Sequence, residues 1–128
     1  KISPDLSRAH LDETISLCRE NGMDGIIATN TTRERTGLIT NSERIRVIGN
    51  GGLSGKPLSE NTVETVSYIC KQTANTLPVI ASGGIMSVGD ALRLLDAGAA
   101  LLQVYTGFIY EGPFLVRKIN KAIQKRRL

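Results

Sequence analysis

A chain of 128 residues, 41% hydrophobic, can bury one modest core, so one domain or part of one is the expectation. No apolar run approaches the roughly 18 to 20 residues of a membrane-spanning helix, so any membrane contact is expected to lie outside these residues. The net charge of +4 comes most visibly from Lys118, Lys121, Lys125, Arg126 and Arg127, at the C-terminal end of a helix where cations complement the macrodipole, and nucleic acid is not an expected partner.

The chain opens on Lys1-Ile2-Ser3-Pro4 without an initiator Met, and a fragment of a longer protein is expected. Ser7 can cap a first helix in which Leu11, Ile15 and Cys18 recur along one face, with Gly22 as a left-handed stop. Gly25 to Asn30, "GIIATN", reads as a strand buried on both faces. A long polar loop, Arg33 to Asn50, follows. Ser59 is expected to cap the next helix, with Leu58 and Val63 as a hydrophobic staple and Val63, Val66 and Cys70 along one face. "LPVIAS" is the next strand; a helix then opens at Ser87, with Asp90 three residues on, and closes at Gly98. "ALLQVY" is the last strand, and Pro113 suits the first turn of a closing helix that turns Leu115, Ile119 and Ile123 inward. Cys18 and Cys70 stand in helical stretches without metal or redox spacing, as thiols of a reducing compartment would; no metal site is expected.

Continuous apolar strands separated by amphipathic helices predict an α/β fold with a parallel sheet. Each strand ends in small or polar residues: Thr29-Asn30-Thr31, Ser82-Gly83-Gly84 and Tyr105-Thr106-Gly107. Such ends line the mouth of a (β/α)8 barrel, where active sites are built, so the chain is expected to supply the C-terminal half of a TIM barrel. Gly83 and Gly84 let the backbone approach an oxyanion closely, and the helix near Ser87 adds its positive end; with Tyr105-Thr106-Gly107, these residues predict a phosphate-binding lip.

"KISPDL" at the start, "DGIIATNTT" at 24 to 32, "GGLSGKPL" at 51 to 58, "ASGGI" at 81 to 85 and "LLQVYTGFIYEGP" at 101 to 113 resemble dihydroorotate dehydrogenase, and specifically the C-terminal half of its class 2, quinone-reducing branch. The order and spacing match along essentially the whole chain. Ser3 departs from the small apolar residue common in the family, and the 33–50 loop is long and polar.

The resemblance implies that residues 1–128 form a partial FMN-binding barrel domain. Lys1 would sit beside the flavin N1 and C2 carbonyl, Thr29 would end its strand against the ring, and Gly55 would let backbone approach it. Gly84, with Gly83 beside it, and Tyr105 with Thr106 would cradle the FMN phosphate. Asn30 and Thr31 would face the substrate, an amide that donates and accepts being suited to a pyrimidine edge. No catalytic residue is assigned here, because the family's base, a serine in class 2, belongs to an upstream segment. So do the helices that receive the quinone and carry the membrane contact. His10 is read as an ordinary surface histidine.

The implied reaction takes a C5 proton from dihydroorotate to the base and a C6 hydride to FMN, giving orotate for UMP synthesis; the reduced flavin then passes its electrons to a quinone. The implied location is peripheral, at a bacterial cell membrane or the mitochondrial inner membrane. The fragment alone is expected to be inactive. Two other readings use the same glycine lip: an FMN-binding reductase like dihydrouridine synthase, acting on RNA, or a structural half-barrel without activity.

Overall fold

A computed structural model describes residues 1–126, so Arg127 of the basic tail lies outside the described residues. In chain order it contains α1 (Arg8–Glu20), β1 (Ile26–Ala28), α2 (Ser42–Ile48), a 3-10 turn (Lys56–Leu58), α3 (Ser59–Gln72), β2 (Val79–Ser82), α4 (Val88–Asp96), β3 (Leu101–Gln103), α5 (Thr106–Glu111) and α6 (Phe114–Arg126). The three strands are parallel and lie in sequence order, β1-β2-β3. Ile2 adds a parallel bridge to Ala28, so a fourth strand position flanks β1. Each crossover therefore steps one strand in the same direction, as in a barrel, whereas a doubly wound sheet reverses its order at a switch point.

The register explains the apolar runs. Ile26 pairs with Val79, and Ala28 with Ala81 and then Leu102; these rows meet the helices. The core joins them to Leu11 and Ile15 of α1, Val66 and Ile69 of α3, Leu94 of α4, and Leu115 and Ile119 of α6. The alternate row, Ile27, Ile80 and Leu101, lies on the other face. Its exposure reaches 62% at Leu101, on the outermost strand, where a barrel interior would be filled by facing strands.

Most helix boundaries follow local chemistry. The Ser7 hydroxyl accepts from the His10 N–H at 3.3 Å, and Gly22 takes φ +62° after α1. Ser87 caps α4 in the same way, and Gly98 follows it at φ +107°. Cys70 is buried, which raises its thiol pKa, and Cys18 is half-buried; both are free.

Three expectations change. Ser59 does not cap α3: its hydroxyl donates to the Gly84 carbonyl at 2.7 Å, while α3 continues directly from the 3-10 turn containing Pro57. A tertiary acceptor has taken the hydroxyl that a local cap would use. The 33–50 loop contains α2, capped by Asn41 and followed by Gly49 at φ +87°. The last strand stops at Gln103, and Thr106 to Glu111 coil into α5 before Pro113 introduces α6.

Candidate functional site

The C-terminal ends of β1, β2 and β3 open onto one cleft of about 390 Å³, within the usual range of small-molecule sites. Lys1, Thr29, Asn30, Thr31, Gly55, Gly84, Tyr105 and Thr106 all line it, although residues 1 and 106 stand at nearly opposite ends of the chain. The parallel sheet brings them together, since every strand delivers its last residues to the same side.

The first wall follows β1. The Thr29 N–H donates to the Ser82 carbonyl at 2.6 Å, which ties the ends of β1 and β2. Thr29 is 1% exposed, and its hydroxyl lies 3.0 Å from the Asn30 carbonyl and 3.4 Å from that of Ser82. It therefore offers the cleft a rigid wall, with its hydroxyl turned to backbone. Asn30 donates its N–H to the Ile2 carbonyl at 2.8 Å and leaves its side chain exposed.

The second wall is the glycine-rich segment 51–58. Thr32 and Leu53 exchange backbone hydrogen bonds of 3.0 and 2.8 Å, fixing its entry beside the end of β1. Gly52 packs so closely that a Cβ would lie 2.0 Å from Thr31 Oγ1. Farther on, Thr106 Oγ1 donates to Ser54 Oγ at 3.0 Å. Gly55 has φ +81°, and a Cβ there would meet Thr106 Cγ2 at 3.0 Å. Segment 51–58 thus spans from the β1 end to the β3 end.

The third wall is the Gly83-Gly84 turn, with φ +117° and +72°. Gly84 is glycine for a reason the sequence conceals: a Cβ would lie 2.4 Å from Ser59 Cα, at the start of α3 rather than in the cleft. Its backbone still borders the cleft. Among the described residues, the N–H groups of Gly83 and Gly84 meet no acceptor. Gly107 seals the join with α5, because a Cβ there would lie 2.1 Å from the Ile85 carbonyl oxygen.

Charge is one-sided. Lys1 is the single charged side chain among the lining residues, and no carboxylate, imidazole or thiol joins it. Gln103, which ends β3, accepts from Lys1 Nζ at 3.5 Å; sequence reading passed over it, though a lone polar residue inside the apolar run "ALLQVY" was its signal. His10 is exposed on α1, its ring 3.0 Å from the Ser7 hydroxyl and away from the cleft lining.

Asp90 is the buried carboxylate nearest these walls, 8% exposed in the first turn of α4. Burial alone would push its pKa up, but hydrogen bonds from Ser87, Lys56 and the Met86 N–H outweigh this and hold it below the usual value. The ammonium of Lys56 stands 3.1 Å away.

These features fit FMN. Unpaired N–H groups at Gly83 and Gly84, with the open first turn of α5, suit a phosphate. Leu58, Ile85 and Val104 give apolar surface for a ring, and Lys1 offers positive charge.

A family profile described as dihydroorotate dehydrogenase matches residues 1–127. The chain is similar to the dihydroorotate dehydrogenase (quinone) of Chloroflexus aurantiacus, 48% identical over 123 residues, covering 96% of this chain and 34% of that protein. The protein of the same name from Pseudarthrobacter chlorophenolicus is 44% identical over 127 residues, covering 99% and 36%. The ligand-free crystal structure of the dihydroorotate dehydrogenase from Eimeria tenella superposes with a TM-score of 0.84 at 36% identity, covering 93% of this chain and 32% of that one. The same enzyme in complex with ferulenol gives a TM-score of 0.84 and covers 31% of that chain. The chain thus spans about a third of the length of the relatives it matches, and its fold is part of a TIM barrel.

Proposed function

The chain belongs to the dihydroorotate dehydrogenase family, and from that premise we propose that the complete polypeptide oxidises dihydroorotate to orotate, on the route to UMP, with FMN in the cleft and a quinone as electron acceptor. Residues 1–128 act as a partial FMN-binding barrel domain. The observation that supports this reading best is the convergence of Lys1, Thr29, Asn30, Thr31, Gly55, Gly84, Tyr105 and Thr106 on one cleft that contains a cation and no carboxylate.

Gly84 and the neighbouring Gly83 offer N–H groups to the phosphate, with Tyr105 and Thr106 on its far side. Gly55 keeps the wall beside Thr106 free of a side chain. Lys1 holds positive charge toward the ring, where electron density builds on reduction. Bound there, FMN supplies the two-electron acceptor for the substrate's oxidation. Asn30 presents an amide and Thr31 a hydroxyl to the polar edge of dihydroorotate, which fixes its orientation. No carboxylate, imidazole or thiol lines the cleft; the base that takes the C5 proton and the quinone site are assigned to segments outside these 128 residues, as the resemblance implies. Among the described residues no helix is long and apolar enough to cross a membrane; a peripheral position at the quinone-bearing membrane, bacterial or mitochondrial, belongs to the same proposal.

The test is anaerobic reduction of the complete, flavin-loaded protein. Adding dihydroorotate should bleach the flavin absorbance, and a quinone should restore it. In Asn30→Ala the protein should stay yellow while bleaching slows by roughly 5- to 150-fold, the rate equivalent of about 1 to 3 kcal/mol for a lost polar contact. Flavin that dihydroorotate cannot bleach would remove the substrate assignment, and an unchanged rate in Asn30→Ala would remove that residue's role.

A further inference from the structure

Asp90 binds more than a helix cap requires. Its Oδ2 accepts from the Ser87 hydroxyl at 2.8 Å and from the Met86 N–H at 3.1 Å, while its own N–H donates to Ser87 Oγ at 3.2 Å. One carboxylate oxygen therefore completes the cap of α4. The other, Oδ1, accepts from Lys56 Nζ at 3.1 Å, 34 positions away in sequence.

Both partners adjoin the cleft. Lys56 directly follows Gly55, and Met86 stands two residues beyond Gly84; Gly55 and Gly84 both line the cleft. The two segments also approach each other directly, since a Cβ on Gly55 would lie 3.8 Å from Met86 Sδ. A single buried carboxylate is thus bonded to both glycine-bearing segments.

We propose that Asp90 and Lys56 are positioning residues whose ion pair sets the gap between the Ser54-Gly55 segment and the Gly83-Gly84 turn, and with it the hold on the flavin. This rests on the proposed function, because it assigns the gap to FMN. Neither side chain lines the cleft, so neither is a catalytic residue. Lys56 is 68% exposed, and an ion pair with one exposed partner adds little to global stability. The pair should therefore show in flavin release rather than in melting.

In the complete, flavin-loaded protein, FMN release can be followed by the rise of free-flavin fluorescence after dilution, alongside melting of the flavin-free form. Lys56→Met should release FMN about threefold faster with the flavin-free melting temperature unchanged, and Lys56→Arg should restore slow release. Asp90→Asn should also speed release, and adding Lys56→Met to it should cause little further change, because both remove one interaction. Should Asp90→Asn fail to fold, the two Lys56 variants still decide the matter. Release from Lys56→Met at the unaltered rate overturns the proposal, as does a flavin-free melting temperature that falls in step with release. An unaltered protein that binds no FMN overturns the proposed function and this inference together, whereas tight binding insensitive to Lys56 overturns this inference alone.

Discussion

Residues 33–50 and 51–58 are consecutive parts of the connection between β1 and α3, and both are polar and contain glycine, yet they are held very differently. The first contains a regular helix, but α2 has no buried residue, and Ile39, Val47 and Ile48 are 104%, 71% and 67% exposed. Its tethers stand at its start, where the Arg33 N–H donates to the Asp5 carboxylate at 2.9 Å and the Arg35 guanidinium donates to the carbonyls of Thr32 and Gly51. The second segment has one short 3-10 turn and is pinned along its length by the Thr32–Leu53 bridge, the Ser54–Thr106 hydroxyl pair and the Lys56–Asp90 ion pair. Regular hydrogen bonding within a segment and attachment to the rest of the molecule are separate properties. The wall of the proposed site has the second.

Glycine substitutions should break this contrast most sharply. At Gly84, alanine would meet Ser59 Cα at 2.4 Å and must also adopt φ +72°. Overpacking and the left-handed backbone together should cost about 3 kcal/mol, read as a lower denaturant midpoint with the slope retained. Gly51 and Gly52 then form a matched pair. Gly51→Ala meets nothing within 4 Å and should be near neutral, whereas the Gly52→Ala methyl would lie 2.6 Å from Thr31 Cβ and must displace that residue. Steady-state kinetics of the complete protein should show a raised KM for dihydroorotate in Gly52→Ala and an unchanged one in Gly51→Ala. Equal effects from both would remove the link between segment 51–58 and Thr31.

Much of this was legible in sequence because it depends on local chemistry. The apolar runs "GIIATN", "LPVIAS" and "ALLQVY" announce parallel strands, although β1 and β3 stop at Ala28 and Gln103, and Ser7 and Ser87 sit at the caps of α1 and α4. Of the eight proposed site residues, Gly84, Tyr105 and Thr106 were legible in the strand ends as a phosphate-binding lip and the other five came from motif resemblance, and the fold brings them to one cleft. What the sequence hid depends on distant partners. The Ser59 hydroxyl looked like a cap until the Gly84 carbonyl was beside it, and nothing local in the sequence pairs Lys56 with Asp90, whose carboxylate stands 3.1 Å away. The α2 helix was missed for the opposite reason: with no buried face, it has no apolar period to reveal it, and only Asn41 and Gly49 mark its ends.

Acid should sharpen the comparison from the side of the pinned segment. Asp90 is held below its ordinary value of 3.8, so its stabilising contribution is fully present above that value and is lost as pH falls through its lower folded value. Around neutrality it stays ionised and the Lys56 bond persists. Asp90→Asn should therefore flatten part of the decline in melting temperature below about pH 4, where carboxylates begin to protonate, and leave no slope between pH 6 and 8. A decline of unaltered steepness in the variant would show that other carboxylates govern acid unfolding.

The smallest expected effect is the most direct measure of the difference in attachment. Ser7 caps α1 and Asn41 caps α2, and each side chain accepts from the N–H three residues on, at 3.3 and 2.8 Å. Removing either with alanine deletes a comparable bond, which in helices costs about 1 kcal/mol. The consequences should differ because α1 places Leu11 and Ile15 in the core, whereas α2 buries nothing. Loosening α1 must strain or uncover core contacts, so Ser7→Ala should lower the global melting temperature by several degrees. Loosening α2 need only fray a surface helix, so Asn41→Ala should leave global melting unchanged and speed hydrogen exchange at the amides of residues 45 to 48 by about fivefold. An equal loss of global stability in the two variants would mean that 33–50 is as firmly attached as the rest of the molecule, and that exposure of its apolar residues is a poor guide to how segments of this chain are held.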